Sequence, residues 1–144
     1  MPTVACFDTS VLLKRYLEES GSLAARDCLR RFRPVCSAIV QVEAASAIAR
    51  RVRTGELSAA RAIETMRQLA ADRARWEFID VEPTILARAE SLVREVPVAT
   101  LDALHIASAL VFVGSLGRSV PFVTADVRQR VAAERTNLEV VWVE

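Results

Sequence analysis

Glycine and proline are scarce in this chain, four and five residues of 144. That excludes collagen-like and linker-rich architectures and leaves room for uninterrupted elements. Histidine occurs once, as His105, and Cys6, Cys28 and Cys36 form no CxxC pair. This poverty of ligands argues against a zinc site. The odd cysteine count points to reduced, mostly buried thiols in a reducing compartment. Lysine is nearly missing too: 19 residues are basic and Lys14 is the only lysine. Mechanisms that need a lysine late in the chain are therefore ruled out. No basic segment followed by a long apolar run stands at the start, so no secretory signal is expected. The most apolar stretch, "ALHIASALVFVG", is too short and interrupted to span a bilayer. The expectation is a cytoplasmic protein without membrane contact. Strong net charge is absent as well. At +1 the chain carries no bulk signal for a nucleic-acid partner, although a local patch can act under a neutral total.

What is present is a core. Hydrophobic residues make up 52% and charged residues 26%, which fits a folded protein rather than a disordered one. The length suits one domain, residues 1–144. Val4–Phe7 reads as a short buried strand, Ser10–Leu17 and Leu23–Phe32 as helices, and "PVCS" as a second strand. Ser37 is a candidate N-cap for a helix over Ala38–Arg53 that stops at Gly55. Ser58 caps another helix to about Arg73, giving a helical hairpin. "WEFIDV" is a strand, Pro83 opens a helix to Glu95, and Thr100 can cap "LDALHIASALVFV", ending near Gly114. "VPFVT" and "LEVVWV" are the last strands, with a helix starting at Asp126 between them. Strands alternating with helices predict an α/β fold, a parallel sheet covered on both faces.

Four acids stand where acids are costly. "TVACFDTSVLL" places Asp8 between two apolar segments, at the carboxyl end of the first strand. Asp126 follows "VPFVT" in the same way, and ligand crevices of open parallel sheets lie at that edge. Each aspartate alone is as readily explained as a helix cap. Glu43 has Ile39, Val40, Ser46 and Ala47 at three and four positions, which puts it on the apolar or small-residue face of its helix. Its plainer alternative is a packed stem with a head reaching water. Asp102 lies in the first turn of a helix apolar nearly all round, where the helix dipole favours an anion. His105 reads best as a hydrogen-bonded core group. Together the four carboxylates would repel one another unless a cation joined them. Hard oxygen ligands with few nitrogens suit Mg²⁺ or Mn²⁺. The hydroxyls of Ser10 and Thr124 flank the cluster and could orient a carboxylate, with capping or turn chemistry as the alternative.

The blocks "FDTSVLLKRYLEE", "SAIVQVEAASAIARR", "TLDALHIASAL" and "FVTADVR" occur in an order and at a spacing that resemble PIN domains, most of all the VapC-type toxins of bacterial toxin–antitoxin pairs. The resemblance runs from Thr3 to the last strand. It implies a PIN-like three-layer sandwich, a parallel sheet of about five strands flanked by helices. It implies that Asp8, Glu43, Asp102 and Asp126 bind Mg²⁺, with Mn²⁺ as a substitute, and serve RNA cleavage. Asp126 matches the most variable of these positions, and Ser10 and Thr124 match supporting hydroxyls. The resemblance also implies a homodimer, a cognate antitoxin covering the active site, a higher assembly with it, and docking on the hairpin of Ala38–Arg73.

The expected activity is that of an endoribonuclease, the toxin of its pair, acting through one or two divalent ions without a side-chain nucleophile. Arg15, Arg50, Arg51 and Arg53 are candidates for phosphate contacts, though the last three equally suit a helix carboxyl end. An aspartate-based phosphatase or receiver domain fits less well. The phosphatase pattern wants an aspartate where Ser10 stands, and both patterns want a downstream lysine. A non-catalytic interaction module with structural acids is the other class to be tested.

Overall fold

The structure is a computed structural model that describes residues 3–144. Five strands and seven helices follow one another as β1 Thr3–Phe7, α1 Thr9–Lys14, α2 Ser22–Arg31, β2 Phe32–Ser37, α3 Val40–Arg53, α4 Ala59–Arg73, β3 Glu77–Ile79, α5 Pro83–Glu95, α6 Thr100–Leu116, β4 Phe122–Thr124, α7 Val127–Arg135 and β5 Val140–Trp142. The strands form one sheet in the order β3-β2-β1-β4-β5, and every neighbouring pair is parallel.

β1 is central because its side chains are apolar on both faces. Val4 and Cys6 join a core with α5, α6 and α7, whereas Ala5 and Phe7 join a second core with α1 and α2. This period-two division is what a doubly covered strand requires. A third cluster is built from Leu13, Tyr16, Leu17, Ala44, Ile48 and Leu69 and fixes the α3–α4 hairpin against α1. The result is the expected α/β sandwich of three layers. Removing one of the large core groups, such as the 1% exposed Phe7, would cost about 3–5 kcal/mol.

The chain leaves β1 toward β2 on one side, whereas β4 pairs on the other side of β1. The crevice between the carboxyl ends of β1 and β4 is therefore the switch point where such sheets bind ligands. Asp8 follows β1 and Asp126 follows β4, so both occupy that edge.

Several boundaries differ from expectation. Ser37 ends β2 rather than capping α3. The helix starts at Val40 behind Ile39, whose N–H lies 3.4 Å from the Ser37 hydroxyl. Thr100 is the first residue within α6, and Ala99 holds the cap position without a side-chain bond. α6 runs past Gly114 to Leu116 and stops at Gly117, whose φ of 66° is the left-handed geometry that glycine adopts at least cost. α6 is deeply buried only from Ala103 to Ala109, and its last two turns are partly covered or exposed. No single helix among the described residues is long and apolar enough to cross a membrane.

Candidate metal centre

Asp8 is 1% exposed, and every local feature holds it in place. As N-cap of α1 it accepts from the backbone N–H of Val11 at 3.3 Å. The Ser10 hydroxyl donates to its carboxylate, 2.9 and 2.8 Å from the two oxygens. The Thr124 hydroxyl, at the end of β4, reaches its Oδ2 at 3.1 Å. These are the orienting roles expected of the two hydroxyls. They leave Asp8 with hydrogen-bond donors but no arginine or lysine partner among the described residues. Burial pushes its carboxyl up to about 6, although His105 and the donors from Ser10, Val11 and Thr124 pull it back.

From Asp8 a chain of polar contacts leads to two more acids. The Thr124 hydroxyl accepts the backbone N–H of Asp126 at 3.0 Å and lies 3.3 Å from Gln129 Oε1. Gln129 is 3% exposed, and its side-chain amide donates to Asp102 Oδ1 at 2.7 Å. Asp102 itself is half-buried in the first turn of α6. Asp126 caps α7, accepting from the N–H groups of Arg128 and Gln129 at 2.8 and 3.4 Å. The capping alternative thus describes the Oδ1 of Asp126 correctly.

Glu43 belongs to a second group joined to the first through the backbone of Thr9. The Thr9 hydroxyl donates to Glu43 Oε1 at 2.6 Å, and His105 Nε2 forms a short hydrogen bond to the same oxygen. His105 Nδ1 is buried without a partner, so placing the ring hydrogen on Nε2 avoids an orphaned N–H. Burial pushes the Glu43 carboxyl up, but His105 and Thr9 outweigh it and hold the group below its usual range. His105 is thus the hydrogen-bonded core group that its setting suggested.

The acids do not form a closed cage. Among the described residues, no three His, Cys, Asp or Glu side chains are gathered closely enough to hold a metal ion. The expected convergence is met at the level of the sheet edge and the polar chain, not of the carboxylate oxygens. The donor set nevertheless suits a hard dication in kind. It consists of oxygens, its deepest member bears an unfavourable ionisation, and among the described residues no arginine or lysine pairs with Asp8, Asp102 or Asp126.

Thr9 and Gln129 were not singled out from sequence. Thr9 had a signal, since it lies between Asp8 and Ser10. Gln129 had none, because "VRQRVAAER" reads as a polar helix surface. Of the arginines named as phosphate contacts, Arg15 pairs with Asp72 at 3.0 Å and Arg51 with Glu19 at 2.6 Å.

The comparisons with known proteins agree with this architecture. The PIN domain family matches residues 5–135, and the chain belongs to that family. Among solved structures, the chain resembles VapBC2 from Rickettsia felis, a structure described as bound to a DNA fragment from their promoter. That match has a TM-score of 0.69 at 13% identity and covers 99% of this chain and 100% of the other. It also resembles FitAcB from Neisseria gonorrhoeae, with a TM-score of 0.68 at 15% identity over 95% and 96% of the two chains. A toxin–antitoxin complex from Klebsiella pneumoniae gives 0.62 at 17% identity over 87% and 88%. At these identities the likeness is one of fold. No curated protein matches the chain in sequence.

Proposed function

We propose that this PIN domain is a divalent-metal-dependent endoribonuclease acting as the toxin of a VapC-type toxin–antitoxin pair. The observation that carries the reading is Asp8: a buried carboxylate at the switch point, raised to about 6 and supplied with oriented hydroxyls but, among the described residues, no arginine or lysine partner. Membership of the PIN family supports nuclease chemistry, and the toxin–antitoxin complexes of like fold support an antitoxin partner. A homodimer, a higher assembly with antitoxin and a cytoplasmic setting follow from the same resemblance.

Asp8, Glu43 and Asp102 would hold Mg²⁺ or Mn²⁺, with Asp126 as an outer member because its Oδ1 is already engaged at the start of α7. When bound, the ion supplies water activation and stabilises charge on the phosphate. The chain's own groups do the positioning. Ser10 and Thr124 fix Asp8, Gln129 turns Asp102, and Thr9 with His105 fixes one oxygen of Glu43. Such supporting bonds set the orientation and basicity of ligands.

The test is incubation of antitoxin-free protein with total RNA, with and without Mg²⁺ or Mn²⁺, beside Asp8→Asn. The reading expects cleavage only with metal and only by the native chain. Metal-independent cleavage, or equal cleavage by Asp8→Asn, would overturn it. A non-catalytic module would neither cut RNA nor bind Mn²⁺.

A further inference from the structure

A groove of about 320 Å³ lies at the amino ends of β2 and β3, the edge of the sheet opposite Asp8. One wall is the α2–β2 junction, where "RRFR" places Arg30, Arg31 and Arg33 around the buried Phe32. The other is the α4–β3 junction, with Arg75 and the half-buried Trp76. Arg15 and Asp72 complete the lining, and Asp72 already pairs with both Arg15 and Arg75. The groove is therefore lined by five arginines against one acid, in a chain whose net charge is only +1.

We infer that this groove binds a free nucleoside diphosphate or triphosphate, with the base against Trp76 and the phosphates on Arg30, Arg31 and Arg33. The inference is independent of the nuclease reading. Helix ends account for part of the positive charge. α1, α2 and α4 all finish here, and each carboxyl end offers a cation about half a negative charge. Three such ends together offset about 1.5 charges, fewer than the arginines supply. Arg31 has no ion pair among the described residues, and its guanidinium lies over the Phe32 ring, 5.1 Å from the centroid. Arg30 and Arg33 pair with Asp27 and Glu77, which stand outside the lining with side chains 65% and 47% exposed. Such exposed pairs contribute little, so both guanidinium groups can turn to a phosphate, which they grip in two-pronged fashion. A nucleotide base is flat enough to stack on an indole. An aromatic ring beside several arginines thus matches a ligand that is planar at one end and multiply anionic at the other. Size and charge select a free nucleotide over a strand. The volume is near the lower limit for small-molecule sites. Asp27 and Glu77 at the rim would repel a phosphate backbone that continued past it.

The experiment is calorimetric titration of the full-length protein with ADP, adenosine and inorganic pyrophosphate. EDTA is present throughout, so that no metal-bridged nucleotide binds at the acidic edge. Native protein, Arg31→Ala, the double variant Arg31→Ala/Arg33→Ala and the remote surface variant Arg94→Ala are compared. The inference expects ADP to bind more tightly than either adenosine or pyrophosphate. It expects Arg31→Ala to weaken ADP binding about tenfold, the double variant to weaken it further, and Arg94→Ala to leave it unchanged. In Trp142→Phe protein the remaining indole is Trp76, and ADP should quench its emission. No ADP binding by native protein, equal ADP affinity in the double variant, or pyrophosphate binding as tight as that of ADP would each overturn the inference. A labelled single-stranded RNA is titrated by fluorescence anisotropy in the same buffer. If it binds more tightly than ADP and loses that binding in the double variant, the groove is a strand surface and the nucleotide assignment fails.

Discussion

Asp72 and Asp8 are both aspartates held against helix α1, one at its end and one at its start. Asp72 accepts from the Tyr16 hydroxyl at 2.7 Å, from Arg15 at 3.0 Å and from Arg75 at 2.9 Å. Burial pushes its carboxyl up, but those partners together win and hold it below the usual carboxylate range. Asp8 is more deeply buried and has only hydroxyl and amide donors with the nearby imidazole, and its carboxyl rises to about 6. The difference lies in the available cations. A chain rich in arginine neutralises the aspartate that ties α1 to α4 and leaves the aspartate at the switch point uncompensated. The first arrangement is complete within the folded chain. The second would be completed by an added dication, which is the physical basis for the proposal that Asp8 binds metal.

The contrast can be broken most forcefully at Asp8. Asp8→Asn keeps the shape of the side chain and its capping ability. Metal-dependent RNA cleavage should fall by more than about 100-fold, since loss of a supporting group alone typically costs 10–100-fold. The check is the initial rate on a defined RNA. Gln129→Leu should lie in that smaller range, about 10–100-fold, because it frees Asp102 without removing a carboxylate. Its readout is Mn²⁺ affinity measured by calorimetry alongside the rate. Asp72→Ala sharpens the comparison from the other side. It leaves the mostly buried Tyr16 hydroxyl without its partner and should cost about 1–3 kcal/mol of stability in urea titrations, with the rate per folded molecule unchanged. If Asp72→Ala lowered the rate as much as Asp8→Asn, the division between a structural acid and a metal acid would be wrong.

Features governed by neighbours in sequence were readable in advance. The apolar run of β1 ending in Asp8, the Ser58 cap of α4, Pro83 at the start of α5 and Asp126 at the start of α7 each follow from local rules. Features decided by tertiary packing were less readable. Ser37 has the right chemistry for a cap, but the pairing of β2 with β3 extends through Ser37 and the helix begins later. The sequence of α6 is apolar nearly all round, yet its carboxyl half emerges from the core. The site divides in the same way. Strand ends located Asp8 and Asp126, and helical spacing put Glu43 on an apolar face. The link from Asp102 through Gln129 to Thr124 joins three separate elements. No spacing rule encodes such a link.

The central claim is that Asp8 carries a charge the chain alone does not compensate. Its folded value of about 6 lies above the unfolded value of about 3.9, so its favourable contribution is complete below pH 4 and lost as pH rises through 6. The difference corresponds to about 3 kcal/mol at pH 8. Thermal unfolding of metal-free native protein and Asp8→Asn, each at pH 4 and pH 8 and then with Mn²⁺ at pH 8, tests this directly. The account predicts that Asp8→Asn gains stability over the native chain between pH 4 and pH 8, and that Mn²⁺ raises the Tm of the native chain but not of the variant. An unchanged stability difference between the two pH values, with no Mn²⁺ shift in the native chain, would contradict it.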